Sequence, residues 1–346
     1  MKKNKVLITG TTGQDGSYLA QHLLANDFEV YGTVRRGSTY RLGRLDFLGI
    51  REEINFISLE ITEFSNVFHV LRELKPDYIY NLAAQSFVEE SFRHPGLTSS
   101  INYMGVLNFL EAIRILDLDC SFYQASTSEM YGNVKEKTQN ELTPFNPMSP
   151  YAVSKCAAHQ LVKNYRVAYD MRCASGILFN HESPLRGREF VTRKITYQMA
   201  ELVNGRNTPI QLGNLSSVRD WGYAPEFILA MEKIICAENM DDFVVATNEI
   251  ATVRDFFRKS AVIAGYDPVF EGEGINEQCI DRKSSKVLCE VNKSYFRPSD
   301  VVYLRGDFSA INKELNWEPK FLWEDIAEKM TVSDLDSMDK KTQYGV

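Results

Sequence analysis

No apolar run in this chain approaches the ~20 residues of a membrane-spanning helix. None of its 6 cysteines stand at C-x-x-C spacing, and no internal repeat or low-complexity tract appears. Each absence narrows the reading. No membrane partner is expected, and neither is a zinc site or a disulfide frame. Cys120, Cys156, Cys173, Cys236, Cys279 and Cys289 are scattered thiols, as in a reduced, cytoplasmic protein. Basic charge is also short: 39 Lys+Arg face 46 Asp+Glu, a net charge of −7, so no nucleic acid or other extended polyanion is expected. Met1-Lys2-Lys3-Asn4-Lys5 has the charge of a signal-peptide start, but only Val6-Leu7-Ile8 follow before the glycines begin. What is present is ordinary for a globular protein, 44% hydrophobic and 25% charged residues in a chain of 346. That is ample core for one large domain or two.

The first part of the chain alternates short apolar runs with helical patterns, the signature of βαβ units around a parallel sheet. Strands are expected at Val6–Ile8, Glu29–Val34, Ile54–Ser58, Tyr78–Leu82, Ser121–Ala125 and Gly176–Phe179. Helices are expected at Tyr18–Leu24, about Ser65–Lys75 and Tyr151–Tyr169. Beyond Asn180 the rhythm loosens, and Glu271–Lys286 reads as loop. Tyr223–Cys236 is helical again and Phe243–Ala246 strand-like, so the chain is expected to return to the first domain before finishing the second. The expected fold is α/β, a Rossmann-type doubly wound parallel sheet with a smaller α/β substrate-binding domain. Residues 1–180 and about 220–247 form the first unit, and about 181–219 with 248–335 the second. The polar stretch from Thr331, and above all 336–346, is expected to fray.

Gly10-Thr11-Thr12-Gly13-Gln14-Asp15-Gly16 follows the first strand and opens the first helix. Glycines there let the backbone turn tightly and approach a pyrophosphate seated at the helix N-terminus. At the end of the second strand an NAD site usually carries an acidic residue, but this chain has Arg35 and Arg36, about twenty residues beyond Gly16. Two guanidiniums suit a 2′-phosphate and point to NADP; a solvated basic turn would look the same. Glu60, after the third strand, either accepts from the adenine amino group or simply starts a helix.

Ser126-Thr127-Ser128-Glu129 follows the fifth strand, at the carboxyl end of the sheet where doubly wound folds bind ligands. Tyr151 and Lys155 are one helical turn apart on one face. A nearby ammonium favours phenolate, so Lys155 is expected to lower the Tyr151 pKa and leave Tyr151 as the base, with Thr127 holding or relaying the substrate hydroxyl. Glu129 extends this chemistry. An enzyme that oxidises C4 of a sugar can use a carboxylate to remove the newly acidified C5 proton, after which hydroxide can leave C6. Taken singly, the pair is a common helix-face contact, Thr127 a helix cap and Glu129 a first-turn carboxylate.

With these residues assembled, the chain resembles the extended short-chain dehydrogenase/reductase family and, within it, the GDP-mannose 4,6-dehydratases. The matching blocks are Gly10–Tyr18, Asn81–Ser86, Phe122–Gly132, Asn180–Gly187, Phe190–Ile195, Leu212–Leu215, Arg219–Gly222 and Tyr295–Pro298. The resemblance implies Thr127, Glu129, Tyr151 and Lys155 as the catalytic set. It implies NADP contacts from the loop residues Gly10, Thr12, Gly13, Gln14, Asp15 and Gly16, and from Arg35, Arg36, Glu60, Leu82, Ala84, Ser86, Tyr151, Lys155, His181 and Arg186. The GDP-sugar would meet Ser86, Glu129, Asn180, Val191, Lys194, Gly213, Asn214, Arg219, Arg297 and Asp300. No metal is implied. The family's Arg35–Arg44 segment reaches a neighbouring subunit's cofactor, so a homotetramer is implied, or else a dimer. Asp300 stands where the family usually has a glutamate, and Glu60 where it commonly has an aspartate.

The expected reaction is conversion of GDP-mannose to GDP-4-keto-6-deoxy-mannose. The same dehydration of another GDP-sugar such as a manno-heptose, a same-fold epimerase or reductase, and a non-catalytic nucleotide-binding sensor are the alternatives.

Overall fold

The computed structural model describes residues 3–35, 42–295, 301 and 303–339. Among these residues the main sheet is built from β1 (Lys5–Thr9), β2 (Glu29–Val34), β3 (Asn55–Ser58), β4 (Tyr78–Asn81), β5 (Ser121–Thr127), β6 (Cys173–Leu178) and the strand Phe243–Val245. Their order across the sheet is Phe243–Val245, β6, β5, β4, β1, β2, β3, and every neighbouring pair is parallel. The central strands are buried on both faces, which is why they read as continuous apolar runs rather than as alternation.

Helix α1 (Gln14–Ala25) and the helix Ala224–Ile235 cover one face, packing Leu19, Leu23, Phe227 and Met231 against Val6, Ile8 and Tyr123. The helices Phe64–Leu74, Gly105–Leu116 and Pro150–Tyr169 cover the other, bringing Val67, Leu71, Phe109, Ala158 and Val162 onto Leu7, Ile79 and Phe122. The order of strands reverses between β1 and β4. Connections leave that point toward opposite faces, opening a crevice at the carboxyl ends of the strands.

A smaller α/β unit faces this crevice. Its strands Pro268–Glu271, Gln278–Asp281, Val287–Val291 and Ile210–Leu212 form one sheet. They share a core with the helices Val191–Val203, Val253–Ile263 and Trp323–Asp339. Two expectations are corrected here. Gln278–Asp281 lies within the stretch expected to be loop, yet it pairs on both sides, its Cys279 opposite Cys289. Short alternating strands flanked by charged turns carry too weak an apolar signal to be read locally. The stretch from Thr331, expected to fray, continues as helix to Asp339. Met330 and Thr331 are fully buried there, and Asp334 pairs with the buried Arg193 at 2.8 Å. A polar sequence is held by a partner distant in the chain.

Asp220 ties the two units where the chain passes between them. Its carboxylate accepts from Thr247 N at 2.9 Å, Thr247 Oγ1 at 2.6 Å, Asn248 N at 2.9 Å and Gly306 N at 3.1 Å. Asp220→Ala strands these donors in a buried site and is expected to cost about 3 kcal/mol or more. A urea or thermal unfolding midpoint close to that of the parent would contradict this.

Candidate active site

The site is assembled at the carboxyl edge of the sheet by short turns. β1 is followed by Gly10 at φ +69, a conformation that side-chain-bearing residues rarely adopt, and the loop enters α1 with Gly13 as its N-cap and no side-chain cap. A Cβ on Gly16 would stand 2.3 Å from Gly10 O and 2.6 Å from Thr11 Cα. Only glycine therefore lets the helix start lie against the loop with its first backbone N–H groups turned to the crevice. Thr11 Oγ1 donates to Ile8 O at 2.7 Å and accepts from Thr33 N at 3.0 Å, locking the loop to β2.

The crevice is a cavity of about 630 Å³. It is lined by the loop residues Gly10, Thr12, Gly13, Gln14, Asp15 and Gly16, by Arg35, Glu60, Leu82, Ala84 and Ser86, and by Thr127, Glu129, Tyr151 and Lys155. Asn180, His181 and Arg186 complete the set. Residues far apart in sequence thus share one space. The uncapped helix start, the glycine cradle and the cavity's size fit a nicotinamide dinucleotide.

Other expected residues lie elsewhere. Val191 begins the helix after Phe190, which itself lines the cavity. Lys194 Nζ stands 3.7 Å from the Tyr295 ring centroid, and a Cβ on Gly213 would meet Tyr295 O at 3.1 Å. Asn214 Oδ1 accepts from Ser216 N at 2.9 Å, and Arg219 Nη1 donates to Val218 O at 2.9 Å. Lys194 and Gly213 therefore converge on Tyr295, outside the main cavity. Arg36, Arg297 and Asp300 lie outside the described residues, as does the rest of the block after Tyr295.

Tyr151, Lys155 and Thr127 are all buried, and Glu129 is half-buried. Ser149 caps the helix Pro150–Tyr169 by accepting from Ala152 N, which sets Tyr151 in its first turn. Ser126 and Thr127 prove to be the last residues of β5 rather than a loop beyond it, and Thr127 Oγ1 accepts from Glu129 N at 3.3 Å. The Thr127 hydroxyl is placed to favour the Tyr151 phenolate.

One expectation about charge is reversed. Burial pushes the Tyr151 phenol up to about 12; the Thr127 hydrogen bond opposes this, Glu129 adds to it, and Arg186 opposes it more weakly. Burial also lowers Lys155 to about 8, and its Nζ donates to Ala125 O at 2.9 Å. The ammonium is thus engaged by backbone, and desolvation decides the direction for both groups.

Arg44 was not singled out in the sequence as a site residue, and the partners of Gln14 and Arg186, which were, could not be read there. Arg44 lines the cavity and donates to Leu185 O at 2.7 Å and Thr12 O at 3.0 Å of its own chain, bracing the glycine loop against the second unit. Gln14 reaches across in the same way, from Nε2 to His181 O at 3.1 Å, and its Oε1 accepts from Ser183 at 2.7 Å. Arg186 sits 3.7 Å from the Phe190 ring centroid, its Nε 3.1 Å from Glu182. Long-range pairs of this kind leave no local pattern to read.

His181 bonds on both ring nitrogens, Nδ1 with Phe179 O at 2.7 Å and Nε2 with Asp15 Oδ2 at 2.9 Å. Both partners are acceptors, so both nitrogens donate and the ring is an imidazolium. It stacks on Phe227 at 4.6 Å.

The model of the GDP-mannose 4,6 dehydratase family matches residues 7–330. The chain belongs to the GDP-mannose 4,6-dehydratase family, within the extended short-chain dehydrogenases/reductases. The GDP-mannose 4,6-dehydratase of Vibrio cholerae is 43% identical over 350 residues, covering 96% of this chain and 94% of that protein. The Homo sapiens GDP-mannose 4,6 dehydratase is 40% identical over 344 residues, covering 97% and 92%. Two solved structures share the fold at lower identity. UDP-glucose 4-epimerase of Thermotoga maritima, with UDP-glucose, gives a TM-score of 0.81 at 22% identity over 96% of this chain and 99% of that one. DesIV, the dTDP-glucose 4,6-dehydratase of Streptomyces venezuelae with NAD and TYD bound, gives 0.78 at 18% over 97% and 98%.

The Asp15–His181 pair carries a pH signature. Burial alone would raise Asp15, but the adjacent imidazolium outweighs it and holds the carboxyl at about 2. Burial alone would lower His181, but Asp15 outweighs it and the net shift is upward. The stabilisation through Asp15 is therefore present above the usual carboxylate range and lost as pH falls through about 2. That through His181 is complete below the usual histidine value and lost as pH rises through its raised value. In an NMR titration His181 is expected to ionise above the ordinary histidine value, and in Asp15→Asn below it. An unmoved titration would sink the pairing.

Proposed function

We propose that this chain dehydrates GDP-mannose to GDP-4-keto-6-deoxy-mannose. The observation that carries the reading is the convergence of Thr127, Glu129, Tyr151 and Lys155 on a single cavity with a dinucleotide-type glycine loop, in a chain of this family. A carboxylate beside the tyrosine is what separates elimination from simple alcohol oxidation. NADP, when bound, supplies the hydride acceptor at C4 and the donor at C6.

The chain's own groups move the protons. As phenolate, its own proton released to solvent, Tyr151 Oη takes the C4 hydroxyl proton, with Thr127 Oγ1 bridging the two oxygens. Because burial favours the neutral phenol, this step needs positive charge, and Lys155 carries it on a flexible four-carbon stem that can turn from Ala125 O. Glu129 then removes the C5 proton, acidified by the C4 ketone, and water leaves from C6. Protonation at C5 completes the product, so the sugar loses one water and is neither oxidised nor reduced overall. Lys194 and Gly213, which meet Tyr295, would hold the nucleotide together with Arg219, Asn214 and Val191. Arg297 and Asp300 follow that tyrosine in sequence.

Residues 1–180 with about 220–247 would carry the dinucleotide, and about 181–219 with most of 248–335 the GDP-sugar; Ile311 and Trp317 instead pack into the core of the main sheet. A homotetramer belongs to the same proposal. Arg44, however, bonds within its own chain and is not what supports it. GDP-manno-heptose is the second substrate to assay, as another GDP-sugar to which the same dehydration applies.

Glu129→Gln keeps the shape of the site without the base. It is expected to lower dehydratase turnover by roughly 100-fold or more with NADP affinity retained, followed by the loss of 18 mass units from GDP-mannose. Near-parent turnover would remove Glu129 from the mechanism. Arg35 lines the cavity at the end of β2, where it supports NADP over NAD. Arg35→Glu is expected to weaken NADP binding about tenfold or more, by calorimetry, and to leave NAD binding little changed. Equal losses for both dinucleotides would mean that Arg35 does not read the 2′-phosphate.

A further inference from the structure

Ser126 and His159 have no part in the chemistry above, yet they meet directly beneath it. Ser126 Oγ and His159 Nδ1 are 3.1 Å apart, both buried, and Ser126 lines the catalytic cavity. Tyr151, Lys155 and His159 follow one another at turns of the helix Pro150–Tyr169 and lie on one face of it. That face meets successive residues at the end of β5. Lys155 donates to Ala125 O, His159 meets Ser126 Oγ, and Tyr151 faces the Thr127 hydroxyl, which lowers its proton affinity. The histidine contact is thus the middle one of three, between the residues that engage the lysine and the tyrosine.

The far side of His159 defines its direction. Its Nε2 is 3.9 Å from Asp242 Oδ2, and Asp242 is gripped by both terminal nitrogens of Arg166, at 3.1 and 2.7 Å. Asp242 also accepts from Ser175 N at 2.8 Å, so it cannot swing away. The carboxylate favours a proton on Nε2, which leaves Nδ1 to accept from the Ser126 hydroxyl. The Phe145 ring, edge-on at 5.3 Å, confines the imidazole. These residue types match those of an acyl-transfer triad, but Ser126 sits within an unbroken strand rather than at an exposed strand-to-helix elbow. A buried hydroxyl within a strand serves here as a hydrogen-bond donor, not as a nucleophile.

We propose that His159 is a positioning residue for the dehydration reaction, acting through Ser126 to fix the end of β5 so that Ala125 O and Thr127 Oγ1 present Lys155 and Tyr151 at the right depth. The role rests on the proposed dehydratase reading, but its structural half can be measured without it.

His159→Phe fills the space without an acceptor, His159→Gln restores one, and Ser126→Ala removes the hydroxyl with little change in volume. Turnover and KM for GDP-mannose would be measured for each variant. The Nδ1 NMR signal of His159 would be compared between parent and Ser126→Ala without any substrate. His159→Phe and Ser126→Ala are expected to lower kcat about tenfold or more, the scale of a small misplacement at a reacting centre, with KM little changed. His159→Gln is expected to recover most of that loss, and the Nδ1 signal to move in Ser126→Ala. If His159→Phe does not fold, Ser126→Ala decides. Parent-like kcat in Ser126→Ala, or no recovery in a folded His159→Gln, would overturn the proposal. A parent that leaves GDP-mannose unchanged would refute the dehydratase reading instead, and an Nδ1 signal unmoved in Ser126→Ala would refute the contact itself.

Discussion

The packing of the helix Pro150–Tyr169 against the carboxyl end of β5 is the constraint on which the site depends. One face of that helix has to bury a phenol, an ammonium and an imidazole where its next turn buries Val162. Burying such groups is costly unless each has a partner, and the strand end supplies them through Ala125 O, Ser126 Oγ and Thr127. The reactive groups are held because their desolvation demands it. The same desolvation moves their proton affinities, keeping Tyr151 protonated and easing Lys155 toward its neutral form. The positive charge that Lys155 carries to Tyr151 therefore works against burial on both groups.

A second layer of polar contacts joins the two units across the crevice. Gln14, Asp15 and Arg44 on the sheet side meet His181, Ser183 and Leu185 on the other. These bonds start at the glycine loop, so the geometry that admits a pyrophosphate also sets where the second unit begins. Asp220 makes the complementary connection on the return path, gathering Thr247, Asn248 and Gly306. Both connections use backbone donors and acceptors, which constrains position more strictly than apolar contact alone.

Much of the main sheet was legible because its strands are buried on both faces and its glycine loop has a distinctive order of residues. Glu29–Val34 was delimited correctly, and the helix expected over Tyr151–Tyr169 begins one residue earlier, at Pro150 behind a Ser149 cap that was not read in the sequence. The smaller unit was less legible. Gln278–Asp281 has too few residues and too much charge to show a period, and the helix past Thr331 owes its order to Arg193 rather than to its own composition.

By itself the sequence determined the residue types of the site, the order of the elements and the family. Those depend on local spacing and on motifs that are contiguous in the chain. Only the tertiary structure decided that Lys194 and Gly213 gather at Tyr295 instead of in the main cavity, that Arg44 braces its own glycine loop, and that Tyr151 is pushed up rather than down. A proton affinity is set by everything within a few ångströms in space, and a helix period cannot report what lies across the crevice from it.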